Sequence, residues 1–507
     1  MRRNWTNKMG WLDKMSENVK KSLRNWLQVT QSSPYTIQIQ EVADFELSAI
    51  RNRIWYRGDS NELEQMYMQN PEYADKYKFW ASRCSPGQEM RKIHTGLPGL
   101  MVRVLCKVVF PDMGEFHFEN PAQKELWKDI VSENFNKLLE KALSDVLSIG
   151  DGAFKISIDT EVSPYPLIEW YPGDRVEFVT RRGRFQEVVF KTPYKVGGQQ
   201  YVLHEHYGHG YVRNHLYKGD SEVDVNAIDE TAGISDITFD RTVILAVPFM
   251  IGESPKYENR GASIYDGKLD NFDALDEAWS QWMHALRKAN PKTYMDEDVV
   301  PVNPDTGLKI SPNPFDNSFI ATEGRTTVGG GDKELIKVVQ PSIPHESYAA
   351  TYITALDLCL QGILSPSTLG IDTKKLDNAE AQREKEKTTL YTRNSIVEAL
   401  QKVLPNVVSA AINACHILYR QPLEEVQVDV PFGEYANPSF ESQVETVGKA
   451  KTQGIMSTEA CVEELYGDTR DNLWKKEEVE RLKEEQGITE MEEPALNTEL
   501  ANFSVKW

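Results

Sequence analysis

The sequence predicts an α+β chain of several domains organised around one very long helix. Three observations lead there. Helical spacing runs unbroken from Ala379 to Tyr419, which at 1.5 Å per residue is a rod of roughly 60 Å. Residues 165–250 alternate as strands between turns at Pro172-Gly173, Arg182-Gly183 and Gly197-Gly198. Helical stretches at 264–290 and 345–363 flank an insert holding Pro301, Pro304, Pro312 and Pro314, with strand candidates at 317–321 and 334–339.

The chain has 507 residues, room for two to four domains with their own cores. No window approaches eighteen apolar residues, so no membrane helix is predicted. The N-terminal stripe Trp11, Met15, Val19, Leu23 and Trp26 lacks the continuous apolar core of a secretory signal. It reads more simply as a helix docking on its own body than as a membrane-surface helix. The five cysteines, Cys84, Cys106, Cys359, Cys415 and Cys461, are scattered, show no zinc spacing and fit buried free thiols in a reducing compartment. Net charge is −20, which repels nucleic acid over most of the surface, so any DNA contact must be local or must guide without gripping.

In chain order, residues 45–69 have helical spacing interrupted near Gly58; the Arg57-Gly58-Asp59 triplet is a loop. Residues 92–110 end in a buried helix or strand. Pro121 starts a helix to 149 with Trp127, Val131, Phe135, Leu138, Leu139, Ala142, Val146 and Ile149 on its stripe, stopped at Gly150-Asp151-Gly152. A strand follows at 153–159. Asp145, Asp151 and Asp159 invite a metal reading, but a helix stop and turn explain them. His204, His206 and His209, with His215 beyond, form the one histidine cluster; His204 and His206 share a strand face. Two antiparallel strands around a turn at Gly208-Gly210 describe it more simply.

The 264–290 helix carries Leu269, Phe272, Leu275, Trp279, Trp282 and Leu286 on one side. Asp266, Asp270, Asp273, Asp276 and Glu277 crowd its first half, as a solvated face or a channel wall. Gly329-Gly330-Gly331 lacks the Gly-Lys-Ser/Thr of a phosphate loop. The 345–363 helix has the stripe Ala349, Ile353, Leu356, Leu360 and Ile363. A polar loop, 364–378, precedes the long helix. That helix is polar all round at 380–389, then apolar along Val397, Leu400, Leu404, Val407, Ala411, Cys415 and Leu418, with Pro405 expected to kink it. A strand at 426–432, helices at 438–454, 457–467 and 473–487, and a flexible tail complete the chain.

This order of parts resembles the portal proteins of tailed bacteriophages, in particular the Gram-positive siphophage type. The resembling stretches are IWYRGDSNELEQMY (54–67), LSIGDGAFKISID (147–159), LHEHYGHGYVRNHLYKGD (203–220), 362–396 with its NAEAQREKEKTTLYTRNSI run, and KAKTQGIMSTEACVEELYGD (449–468). The resemblance covers nearly the whole chain, and the ordered set carries it, since no single motif does.

The resemblance implies a non-enzymatic, cofactor-free subunit of a ring, twelve copies at one capsid vertex of a virion assembled in the host cytoplasm. It implies an N-terminal segment at 1–29, a wing at 30–262, stem helices at 263–290 and 345–363, and a clip at 291–344. A tunnel loop at 364–378, a long helix with return strand at 379–436, a crown at 437–487 and a tail at 488–507 follow. Lys374, Lys375, Thr373 and Asp372 would face DNA in the tunnel loop. Asp270, Asp273, Asp276 and Glu277 would line the channel. Asp305, Leu308, Lys309, Phe315 and Arg325 would meet the terminase large subunit and then the head–tail adaptor. Major capsid protein and scaffold are the further implied partners, with no membrane. Twelve copies at −20 give about −240, so an acidic bore would let DNA slide. The competing expectations are a metal-dependent nucleic-acid enzyme using the Asp or His groups above, or another ring-forming virion component.

Overall fold

The N-terminal ribbon pairs β1 (Val29–Gln31) with β2 (Gln38–Gln40). In this computed structural model the described residues are 29–31, 38–40, 45–69, 78–83, 90–131, 134–296, 299–310, 319–322, 336–370, 379–433, 440–466 and 472–485. The stripe from Trp11 to Trp26, Cys84 and the tail lie outside them. The chain divides into two units, 1–433 and 434–507.

Helices α1 (Phe45–Arg57) and α2 (Ser60–Gln69) break at Gly58, as the sequence predicts. Gly58 takes φ +73°, and Asp59 starts α2 by accepting from the Asn61 N–H at 2.8 Å. A Cβ on Gly58 would sit 3.1 Å from the His94 ring. Gly58→Ala is therefore expected to cost about 1–2 kcal/mol through its left-handed backbone alone, read as a lower urea midpoint.

Residues 92–110 resolve to a helix, α3 (Leu97–Val109), burying Met101, Val102, Leu105, Cys106 and Val109. After β3 (His117–Phe118), the single helix expected over 121–149 is two, α4 (Pro121–Ile130) and α5 (Phe135–Ile149). The reason is packing. Eight residues along one helix separate side chains by about 12 Å. The Trp127 and Phe135 rings instead meet edge-on at 5.4 Å, with Phe116 against both. Extending the backbone at Val131 makes that contact possible.

The strand-rich region forms two antiparallel sheets. Strands β4 (Asp151–Ser157) and β5 (Leu167–Pro172) pair with each other. Strands β6 (Val176–Arg181), β7 (Arg184–Val196), β8 (Gln199–Gly208), β9 (Tyr211–Lys218) and β10 (Ser221–Val223) form a meander in sequence order. Strand β11 (Ile237–Thr238) joins β9, and β12 (Ala246–Met250) joins β4. The hairpin turns fall where expected, with positive φ at Arg182, Gly183, Gly197 and Gly198.

Helix α6 (Leu269–Lys288) leaves this body. The insert holds β13 (Lys292–Asp296), β14 (Phe319–Thr322) and β15 (Ile336–Val339), with β13 central, parallel to β14 and antiparallel to β15. Helix α7 (His345–Leu360) returns against α6. The long helix is one piece, α8 (Ala379–Leu418), 40 residues passing through Pro405. From Ala410 to His416 every side chain is buried, so this half is the axis of the core rather than a one-sided stripe. Of the return strand expected over 426–432, only β16 (Val428–Asp429) pairs as a strand, with β3; Phe432 adds an isolated bridge to Met113.

Buried ion pairs fix the core's edges. Arg393 of α8 donates to Asp112 at 2.8 Å, to the Gly433 carbonyl at 2.6 Å and to the Val108 carbonyl at 3.3 Å. Lys155 donates to Glu205 at 2.8 Å; burial opposes its charge, yet Tyr207, Glu205 and Glu169 hold its pKa above the usual lysine range. Asp151, fully buried, receives both Nε and Nη2 of Arg260. Beside it, a Cβ on Gly150 would fall 2.3 Å from the Gly261 carbonyl oxygen, and one on Gly261 2.1 Å from that of Gly150. Cys106, Cys359, Cys415 and Cys461 are free and buried, and burial pushes the Cys106 thiol up to about 11.

In the second unit, α9 (Phe440–Thr452), α10 (Thr458–Tyr466) and α11 (Asn472–Glu485) match the predicted short helices. Tyr466 and Trp474 meet edge-on at 5.1 Å, and Lys475 donates to Glu463 at 2.9 Å.

Candidate functional site

The α6–α7 hairpin is the feature the rest of the body positions. Aromatic residues one turn apart on α6 meet tyrosines one turn apart on α7. Trp279 lies 5.5 Å from Tyr352, and Trp282 stacks on Tyr348 at 6.3 Å with planes 11° apart. Lys268 and Asn271 cap the end of α7: Lys268 donates to the Leu358 and Gln361 carbonyls, and Asn271 to that of Leu358. Cations at a helix C-terminus also complement its dipole.

The root of α6 is clamped by carboxylates. Asp276 has no exposed surface. Its Oδ1 accepts from the Thr95 N–H at 2.8 Å and the Thr95 hydroxyl at 2.9 Å. Its Oδ2 accepts from Trp80 Nε1 at 3.1 Å and lies 2.6 Å from His94 Nδ1. Asp273 accepts the Phe79 and Trp80 N–H groups; burial raises its pKa, against those two donors. Ser280 accepts from the Ile93 N–H at 2.9 Å. Two of the four acids expected on a channel wall are thus internal struts. A carboxylate surrounded by its own chain's donors has no face left for a channel. Asp270 and Glu277 do reach the surface, where Asp270 pairs with Lys78 and Glu277 accepts from Gln281.

On α7 the buried face runs through Leu356, Cys359 and Leu360, with Tyr348 and Tyr352 half-buried above them. Ile353, expected in the buried stripe, is 42% exposed and Leu358 is 46% exposed. They border a groove of about 1010 Å³ that also takes in Leu360, Leu364, Ser365 and Thr388. The groove ends at the base of the polar loop, which hydroxyls pin. Thr389 Oγ1 accepts the Ser365 N–H at 2.9 Å and meets Thr368 Oγ1 at 2.8 Å, while Thr392 donates to the Ile363 carbonyl at 2.7 Å. Asp372, Thr373, Lys374 and Lys375 lie outside the described residues.

At the hairpin's far end, Asn303 and Leu308 close a tight turn, with Asn303 N–H donating to the Leu308 carbonyl at 2.8 Å. Asp305, Leu308 and Lys309 are exposed on it; Leu308 is 69% exposed. Val302 and Val338 add exposed apolar surface in the same insert. Phe315 and Arg325 lie outside the described residues.

The residues behind the enzyme alternative have local duties. Asp145 accepts from Trp170 Nε1, Asp151 holds Arg260 and Gly261, and Asp159 caps a turn through the Glu161 N–H. His209 is exposed in the β8–β9 turn, whereas His206 and His215 come together. Among the described residues no group of three His, Cys, Asp or Glu is arranged to hold a metal ion, and no helix is long and apolar enough to cross a membrane. Sequence reasoning missed the buried cations Lys155 and Arg393 and the part-buried Arg260, since each pairs with a group far away in the chain.

No protein-family model matches the chain, and no curated protein matches it. Among solved structures it is similar to a chain of the virion of a native gene transfer agent particle. The identity is 14%, with TM-score 0.37, covering 86% of this chain and 94% of that one. A chain of the neck of the empty particle, computed with C6 symmetry, gives 14%, 0.37, 71% and 87%. One from the neck of the native particle, computed with C12 symmetry, gives 15%, 0.36, 76% and 91%.

Proposed function

We propose that this chain is a portal subunit: copies close into a ring of about twelve around a duplex-wide hole, through which a viral genome enters and leaves its shell. The observation that carries the reading is the α6–α7 hairpin, aromatic-locked and rooted in the body, with a small sheet at one end and apolar side chains left exposed on α7. An exposed apolar stripe on a helix is costly unless something covers it, and a neighbouring copy is the partner a ring supplies. The sheet-bearing end, with Asp305, Leu308 and Lys309 exposed, is the face offered to a packaging motor and then to an adaptor. Lys374 and Lys375 would supply local cations beside passing DNA, and the net charge of −20 disfavours tight binding elsewhere. The chain's role is then passage and docking, without catalysis.

Purified full-length protein tests this directly. Axial electron micrographs and native mass are expected to give a closed ring of twelve or thirteen copies with a central hole. A stable monomer at micromolar concentration would overturn the proposal.

A further inference from the structure

The outer face of the large sheet holds two imidazoles arranged in a way the hairpin does not explain. His206 on β8 and His215 on β9 point to the same face, with ring centres 5.1 Å apart. His206 Nδ1 lies 2.6 Å from Glu187 on β7, and His215 Nδ1 lies 2.7 Å from Glu222 on β10. Strands β7 and β10 flank the β8–β9 pair on opposite sides. The two carboxylates therefore draw the Nδ1 edges outward, away from each other. A carboxylate only accepts, so each ring donates its Nδ1 proton, and in the neutral ring the lone pair then sits at Nε2.

We propose that His206 and His215 form a two-imidazole site for a borderline divalent transition metal of the Zn²⁺ class. Metal-bound imidazoles almost always donate their second nitrogen to a carboxylate or carbonyl, which fixes tautomer and orientation. Both rings carry that partner here. Two imidazoles bound at about 2.0–2.1 Å with a tetrahedral angle place their ring centres ~5 Å apart, the separation observed. Two cations beside the pair in register are engaged elsewhere: Lys191 is held by Glu46 and Glu177, and Arg213 lies over the Tyr211 ring. His204, directly across from His215 in register, packs on Tyr217 and is a bystander. Two protein ligands leave two positions for water or for a donor from another chain. The site is independent of the portal reading and supplies no catalysis.

The test is a Zn²⁺ titration of the full-length chain after chelator treatment, by calorimetry in a non-coordinating buffer. One saturable Zn²⁺ per chain is expected. His206→Ala and His215→Ala should each weaken it about tenfold or more, and Glu187→Gln about tenfold through loss of orientation. His209→Ala should leave it unchanged. Both rings are part-exposed, so these variants should fold, which circular dichroism checks. Co²⁺ substitution should add a visible tetrahedral absorption band that His206→Ala removes. Absence of saturable binding at one per chain overturns the proposal. So does binding that survives both alanine variants, or an equal loss in His209→Ala.

Discussion

Asp276→Ala is expected to lower folding stability by on the order of 4 kcal/mol, seen as a large drop in the urea midpoint. The carboxylate is fully buried and serves the Thr95 N–H, the Thr95 hydroxyl, Trp80 Nε1 and the His94 ring. Removing it strands these groups in the core, and a buried donor left unsatisfied costs about 1–3 kcal/mol. Tryptophan fluorescence reports on the right place, since the Trp55 and Trp80 rings lie 5.4 and 6.3 Å from His94. Asp270→Ala is the matched control. Its carboxylate is largely exposed and, among the described residues, pairs with Lys78, so its loss should cost about 0–1 kcal/mol. Equal losses in the two variants would show that the buried acid is not what fastens the helix.

The second large effect is on assembly. Changing Ile353 and Leu358 together to Asp should cost the single chain about 2 kcal/mol without unfolding it, since both side chains are only part-buried in it. It should nevertheless abolish rings. A ring contact would bury the exposed remainder, a little under half of each side chain, worth about 1 kcal/mol apiece. Losing two costs roughly 2 kcal/mol per contact, or about thirtyfold in affinity, before the cost of forcing carboxylates into an apolar seam. Light scattering should move from a ring to a monomer with unchanged circular dichroism. Rings that persist would place the subunit contact on another surface.

Much of the fold was legible because it is local. Helix breaks at Gly58, hairpin turns at Arg182-Gly183 and Gly197-Gly198, and the uninterrupted run through Pro405 depend on residues a few positions apart. What failed was long-range. The 121–149 stripe looks continuous until Trp127 and Phe135 fold toward Phe116. The acids of α6 look solvated until residues 79–80 and 94–95, about 180–200 positions earlier, bring their donors. A hydropathy pattern shows that a residue is polar, and not what will meet it. The same limit hid Arg260 and Arg393, and let His209 stand in for His215. On α7, spacing alone favoured Ile353, while the tyrosines opposite Trp279 and Trp282 decided which side turned inward.

The contact between Gly150 and Gly261 has a mechanical consequence. There the segment leading into the hairpin rests main chain on main chain, with Arg260 bolted to Asp151 alongside. Side chains are compliant because their rotamers yield; peptide planes in direct apposition are not. A pull along the hairpin is therefore delivered to the sheet with little lost in between, and this joint behaves as a stiff bracket rather than a spring.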